Sequence, residues 1–373
     1  MRRALIACGG TGGHLAPGIA LAEELESRGW QCELLISQKQ VDALLIKRYS
    51  RFEYASIPGS GFNRSPLGFA RFLRDLVGGI RQCSRIIRLR RPDVVISFGG
   101  FLSASALIAG KRHRLPVALH EANRIPGKVT RLASRFADRV YLPEGVAIRA
   151  AISKSKSVGM PLRSEIVRMP RADAKDELGL DSKRPLLVVI GGSQGARSLN
   201  LWFEREREGL ARRSIQTICV SGDRSADERR WTYVSSEGVS IEARAIGFCD
   251  RMALLLSAAN LTVSRSGAGS IAEILRCRVP SILVPYPYAA DNHQWYNAKQ
   301  LSDRGAARLW MGEEIDSLTD IVLEMIGDER RLQTIENHMG ELDTVDARVA
   351  LADDLERFLY PALAASGKEI AQA

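Results

Sequence analysis

The side chains best suited to chemistry in this chain sit where short apolar runs end in glycines. Leu5-Ile6-Ala7-Cys8 runs into Gly9-Gly10-Thr11-Gly12-Gly13-His14, and half a chain later Leu186-Leu187-Val188-Val189-Ile190 runs into Gly191-Gly192-Ser193-Gln194-Gly195. Such a run reads as a buried parallel strand, and the glycines after it as a turn whose bare amides can approach an anion in front of a helix N-terminus. A phosphorylated ligand is the expected occupant. The first turn is not a phosphate loop of the Lys-Ser or Lys-Thr kind, since neither pair follows it. It is not a dinucleotide fingerprint either: Leu15 stands where the third glycine would be, and the second strand ends Ser37-Gln38 without an acidic residue for a ribose.

His14 closes the first turn. A histidine there can cap or pack against the helix. Alternatively, the N-terminal dipole disfavours the imidazolium and leaves a neutral ring able to accept a proton near neutral pH. Residue chemistry leaves both readings open. Gly99-Gly100-Phe101-Leu102-Ser103 and His120-Glu121-Ala122-Asn123-Arg124-Ile125-Pro126-Gly127 also follow apolar runs. They therefore fall at the C-terminal ends of strands, where open α/β sheets bind ligands. Asn123 and Pro126 equally suit a turn and a helix start.

The richest segment is Ser264-Arg265-Ser266-Gly267-Ala268-Gly269-Ser270-Ile271-Ala272-Glu273. Ser270 and Glu273 have capping-box spacing, which would make Glu273 a cap. The same carboxylate could instead accept two hydrogen bonds from a ribose diol, each worth about 1.5–3 kcal/mol for a charged acceptor. Gly267 and Gly269 would leave the helix start open to a diphosphate, and we favour this ligand reading. Pro285-Tyr286-Pro287 leads to a polar helix start, Asp291-Asn292-His293-Gln294. Asp291 could cap that helix, while His293 and Gln294 are neutral groups suited to sugar hydroxyls.

Alternating strands and helices must position these groups. Strands are expected at 3–8, 32–36, 52–57, 93–97, 116–120 and 139–142, with helices at 15–28, 41–48, 66–90, 101–111 and 127–136. After Gly159-Met160-Pro161, the expected hinge, the alternation restarts: strands at 185–190, 215–220, 240–245, 261–264 and 281–285, helices at 196–211, 250–258, 270–277 and 293–304. This pattern means parallel sheets covered by helices on both faces, and a length of 373 residues suits two such domains facing one cleft. Residues 343–365 read as one amphipathic helix packing back across the domains.

Composition narrows the partners. The chain has 53 basic and 43 acidic residues, a formal charge of +10, which suits nucleic acid, an anionic membrane surface or an anionic substrate. No nucleic-acid-binding signature accompanies the charge. No apolar run is long enough for a transmembrane helix or a signal peptide. Cys8, Cys32, Cys83, Cys219, Cys249 and Cys277 contain no CxxC pair, as expected of reduced thiols in a cytosolic protein. The five histidines lack metal-ligand spacing. From Pro66 to Arg91, apolar residues including Phe69, Phe72 and Leu76 interleave with Arg71, Arg74, Arg81 and Arg85. One reading is a core helix with a solvated basic face, the other a surface that dips into a bilayer with arginines on anionic headgroups.

Seven segments, 9–14, 99–103, 120–127, 159–163, 191–196, 265–273 and 291–298, together resemble the MurG family of bacterial N-acetylglucosaminyltransferases. The resemblance implies a GT-B fold: two Rossmann-like, doubly wound parallel-sheet domains facing a cleft. Residues 1–162 would form the acceptor- and membrane-facing domain, with 343–373 packing back on it, and 163–342 the UDP-GlcNAc-binding domain. It implies inverting transfer of GlcNAc from UDP-GlcNAc to the C4 hydroxyl of MurNAc in lipid I, giving lipid II for peptidoglycan synthesis and hence cell shape and division. His14 would be the catalytic base, and Glu273 would bind the ribose. Ser193 and the amides of Ala268, Gly269 and Ser270 would hold the diphosphate, with Arg163 nearby, and the backbone at Cys249 would meet uracil. Thr11, Gly12, Gly13, Asn123 and Gln294 would contact the sugar or its phosphates. Stretch 66–91 overlaps the family's membrane patch. No cofactor or metal is expected; the implied partners are UDP-GlcNAc, lipid I, an anionic membrane surface and a cell-wall synthesis complex. The place would be the cytoplasmic face of the inner membrane, peripherally bound. The sequence departs from some relatives at Phe101-Leu102, at His293 and in the loop 59–64. The rival readings are another GT-B enzyme, such as a glycolipid glycosyltransferase or UDP-GlcNAc epimerase, and a non-catalytic nucleotide-sugar-binding protein.

Overall fold

The structure, a computed structural model, describes residues 1–10, 12–38, 46–59, 65–192, 195–223, 225–312 and 317–361. It divides into two units: Met1–Ser164 with the chain from Val345 onward, and Glu165–Thr344. Gly159-Met160-Pro161, read as the hinge, lies inside the first unit. There the Gly159 carbonyl is held 3.0 Å from Nε2 of His120.

The first unit is a seven-stranded sheet. In chain order it contains β1 (Arg3–Ala7), α1 (Gly12–Ser27), β2 (Gln31–Ser37), β3 (Glu53–Ile57), α2 (Pro66–Arg90), β4 (Val94–Ser97), α3 (Phe101–Arg112), β5 (Val117–His120), α4 (Lys128–Ala133), β6 (Arg139–Leu142) and β7 (Ser155–Ser157). The strand order is β3-β2-β1-β4-β5-β6-β7, and every pairing is parallel. The apolar runs follow from this burial on both faces. Ala4, Ile6 and Cys8 join one core cluster with Leu15, Ile19 and Leu351, while Leu5 and Ala7 join another with Cys83, Ile87 and Leu102. The helix expected at 41–48 falls largely outside the described residues; its end is a 3-10 turn, Lys47–Tyr49.

The second unit holds α5 (Arg171–Glu177), β8 (Leu186–Ile190), α6 (Arg197–Arg212), β9 (Gln216–Val220), β10 (Arg229–Val234), β11 (Ser240–Ile246), α7 (Met252–Ala258), β12 (Leu261–Ser264), α8 (Ala268–Cys277), β13 (Ser281–Leu283), α9 (His293–Asp303), β14 (Arg308–Leu309), α10 (Ser317–Ile326) and α11 (Glu329–Leu342). Its sheet runs β10-β11-β9-β8-β12-β13-β14. All pairings are parallel except the edge pair β10–β11, in which β11 matches the strand expected at 240–245 and β10 is an antiparallel addition absent from the expectations.

The single helix expected over 343–365 is corrected. Helix α11 ends at Leu342, and α12 spans Ala347–Leu359, opened by Asp346, whose carboxylate accepts from the Arg348 N–H. Residues 362–373 lie outside the described residues. Helix α12 belongs to the first unit, where its buried Glu356 accepts from Arg2 and Arg28 at 3.0 Å each and from Trp30 Nε1 at 2.9 Å. Asp354 adds a two-pronged pair with Arg139.

Candidate active site

In an open parallel sheet, ligands bind outside the carboxyl ends of the strands where the strand order reverses. In the second unit that point lies between β8 and β12, whose ends pair Ile190 with Ser264. The chain leaves β8 through Gly191, where a Cβ would stand 2.3 Å from the Ala196 N atom. That glycine is required by the turn folding back on itself. Ser193, two residues further along the sequence, lies outside the described residues.

Helix α8 starts at the other side of this point. Its N-cap is Gly267 and its first residue Ala268, so Ser270 is already the third helical residue. The capping box is thereby excluded: a box needs its serine at the cap, three residues before the carboxylate. Glu273 instead stands one turn on from Gly269 (i+4) and Ser270 (i+3), with its Cα–Cβ bond tilted toward the N-terminus. Gly267 has an ordinary φ of −65°, and a Cβ there would meet nothing within 4 Å. The fold does not demand a glycine at Gly267; what its absent side chain preserves is open space before the helix N-terminus.

Arg265, which the site residues read from the sequence did not include, organises this edge. Its guanidinium donates to the carbonyls of Val284 and Pro285 at 3.1 and 2.9 Å and to Ser198 Oγ at 2.9 Å. Those partners are neutral, and burial holds the guanidinium below its ordinary range. A half-buried cation held by neutral acceptors suits an edge that receives an anion. Its sequence signals were its position directly after the strand and its place at the head of the 265–273 segment. Gln294 is fixed at both ends, its Oε1 accepting from the Tyr286 N–H at 2.9 Å and its carbonyl from Ser266 Oγ at 2.8 Å. His293 Nδ1 lies 2.8 Å from the Ala290 carbonyl. The cap position of α9 is Asn292 rather than Asp291. Cys249 is half-buried in the turn after β11.

The first unit has its reversal between β1 and β4, whose ends pair Ala7 with Ser97. A Cβ on Gly99 would stand 3.1 Å from Nε2 of His14, and one on Gly100 would stand 3.3 Å from Nδ1. The glycine turns after β1 and β4 thus meet on the His14 ring, a relation that one-dimensional spacing does not reveal. Gly12 and Gly13 open α1, and Thr11 lies outside the described residues. Behind His14, His120 is buried with its ring 5.2 Å from that of Phe98. Burial holds the His120 imidazole below its ordinary range; the Gly159 carbonyl and Glu121 oppose this, and His14 reinforces it. Buried Glu121 accepts from the N–H of Asn123 at 2.9 Å, from its Nδ2 at 3.1 Å and from the Gly127 N–H at 3.0 Å. The turn reading of Asn123 is therefore realised, and Glu121 is the residue that builds it. Arg163 lies in the first unit, donating to the Tyr49 hydroxyl at 3.0 Å.

Helix α2 divides the basic stretch into a packed half and an exposed half. Its second half carries Gly79, Cys83, Ser84, Ile86 and Ile87 into the core. Its first half leaves Leu67, Phe69, Leu73 and Val77 exposed beside exposed Arg71 and Arg74, with Phe72 and Leu76 half-buried; Arg81 and Arg85 are exposed further along. Phe69, Leu73 and Val77 follow one another at i+4 on a single face. No helix among the described residues is long and apolar enough to cross a membrane. Among the same residues, no group of three or more His, Cys, Asp or Glu side chains is placed to hold a metal ion.

Known proteins share this plan. The Glycosyltransferase family 28 N-terminal domain matches residues 4–142, and the family 28 C-terminal domain matches 186–347. A UDP-N-acetylglucosamine–N-acetylmuramyl-(pentapeptide) pyrophosphoryl-undecaprenol N-acetylglucosamine transferase of Opitutus terrae is 43% identical, covering 94% of this chain and 94% of its own. One of the same name from Crocosphaera subtropica is 33% identical, covering 94% and 98%. The crystal structure of Acinetobacter baumannii MurG matches the fold with a TM-score of 0.70 at 21% identity, over 96% of this chain and 100% of that one. Two parallel-sheet α/β units with glycine turns at both reversal points define a glycosyltransferase of the GT-B type. Within that class, the chain belongs to the MurG family.

Proposed function

We propose that this enzyme transfers GlcNAc from UDP-GlcNAc to the C4 hydroxyl of MurNAc in lipid I, with inversion, yielding lipid II for peptidoglycan synthesis. One observation supports the reading: a chain 43% identical to a transferase of that name has a helix that starts at Ala268 behind an uncapped Gly267, with Glu273 in its second turn. In this proposal the α8 N-terminus and the β8 turn, including Ser193, hold the diphosphate, and Arg163 approaches the nucleotide-sugar. Glu273 accepts from the ribose hydroxyls, the backbone at Cys249 faces uracil, and His293 and Gln294 meet sugar hydroxyls. In the first unit, His14 takes the proton from the attacking hydroxyl, while Thr11, Gly12, Gly13 and Asn123 line its surroundings.

The chemistry follows from charge. As the glycosidic bond breaks, negative charge grows on the leaving UDP, and preorganised N–H donors stabilise it; one critical donor is worth about 2.7–4 kcal/mol in a measured case. The proposal assigns this task to helix N-termini and glycine-turn amides, without a metal. The apolar first half of α2 and its arginines would rest on an anionic bilayer at the cytoplasmic face, bringing the enzyme to a lipid-linked acceptor and to a cell-wall synthesis complex.

The test is transfer of labelled GlcNAc from UDP-GlcNAc to a soluble lipid I analogue with chelator present. A β-linked disaccharide and an equal amount of UDP are expected. UDP release without disaccharide, or epimerised donor, would contradict the proposal.

A further inference from the structure

The segment after β13 is held firmly yet carries aromatic rings into water. Arg265 binds the carbonyls of Val284 and Pro285, and Gln294 binds the Tyr286 N–H. The Tyr286 carbonyl accepts from the Ala289 N–H at 3.1 Å. This closes a turn with Pro287 in the second position, where its fixed φ fits. On this pinned backbone Tyr286 is 44% exposed and Tyr288 83%. Their ring centroids are 5.7 Å apart at an interplanar angle of 71°, and the Arg265 guanidinium lies 5.6 Å from the Tyr286 centroid. A rigid turn that keeps two large rings exposed is not explained by packing of the unit's own core.

Sheet order gives the rings a direction. The strands run β11-β9-β8-β12-β13, so the Cys249 turn, the β8/β12 reversal and the tyrosine turn succeed one another along the same edge, at about 4.8 Å per strand. A nucleotide with its diphosphate at the reversal and its base toward Cys249 has its sugar at the end of β13.

We propose that Tyr286 and Tyr288 form an aromatic corner that stacks on the C–H face of the donor's pyranose ring and so selects for the sugar rather than the nucleotide. This rests on the nucleotide-sugar reading of the second unit. A pyranose offers apolar C–H bonds on its face and hydroxyls at its rim. A tyrosine offers a flat apolar face with a polar tip and loses only two torsions on binding. Tyr288, at the turn apex, determines specificity; Tyr286, backed by Arg265, positions the corner.

Calorimetric titration of the intact chain and of Tyr288→Ala, Tyr288→Phe and Tyr286→Ala, with UDP and with UDP-GlcNAc separately, tests this. UDP binding, which also reports folding, is expected to be unchanged in every variant. UDP-GlcNAc affinity should fall about fivefold or more in both alanine variants and be retained in Tyr288→Phe. Unchanged UDP-GlcNAc affinity in the alanine variants, or an equal loss for UDP, would overturn the aromatic corner. Wild-type chain that binds neither ligand would overturn the underlying reading, and this inference with it.

Discussion

A single methyl group on Gly100 would stand 3.3 Å from Nδ1 of His14, closer than the ring can tolerate without moving. Gly100 also has a φ of +77°, a left-handed conformation that side chains disfavour. The glycine after β4 therefore sets where the imidazole after β1 can lie. We expect Gly100→Ala to lower kcat by less than the roughly hundredfold loss of an ångström's misplacement, since the ring need give only by a fraction of that while the backbone is strained. His14→Ala should lose about 10²–10⁴ in kcat, the range for a positioned acid or base. UDP affinity should stay unchanged in both. Steady-state kinetics and calorimetry separate the two effects, and near-normal turnover in His14→Ala would remove it as base.

Glu273 sits too far into α8 to cap it. Glu273→Ala should weaken UDP binding by about tenfold or more, since each lost bond to a charged acceptor is worth about 1.5–3 kcal/mol. An unchanged dissociation constant would return the carboxylate to a structural role.

The pH dependence of stability should carry a signature of His120. Its imidazole is held below the ordinary range by burial, whereas in the unfolded chain it titrates near about 6.5. Between those values the unfolded chain binds a proton that the folded chain refuses. This contribution to stability is complete above about pH 6.5 and is lost as pH falls through the folded value. Urea unfolding of the wild type should show stability declining on acidification, by at most about 1.4 kcal/mol per pH unit from this one group. His120→Gln should remove that share of the slope; an identical slope would contradict the assignment.

Replacing Arg71, Arg74, Arg81 and Arg85 by Glu should sharply reduce sedimentation with anionic vesicles, since each basic residue near such a surface is worth about 1 kcal/mol. These side chains are exposed, so folding should survive, as circular dichroism would show. Equal sedimentation of wild type and variant would leave α2 as a packing helix alone.

The elements legible in the sequence were those with both faces buried. Val94–Ser97 and Leu186–Ile190 are uniform apolar runs because helices cover each side of the sheet. Arg229–Val234 was illegible for the opposite reason: at the sheet edge none of its residues is buried, so charged and aromatic residues replace an apolar run. The capping-box reading of Ser270 failed because Gly267 takes the cap without supplying a side chain. Contacts between distant segments were out of reach of spacing altogether: Arg265 with Val284, Gly100 with His14 and Glu121 with Gly127 exist only once the strands are ordered.

The seat of the nucleotide decides the roles given to Glu273, Cys249 and the α8 N-terminus, and a crystal structure of the UDP complex would show it. The predicted result places the diphosphate before Gly267, Ala268, Gly269 and Ser270, with both ribose hydroxyls on Glu273 and uracil at the Cys249 turn. Ordered UDP at any site remote from the β8/β12 reversal would contradict it.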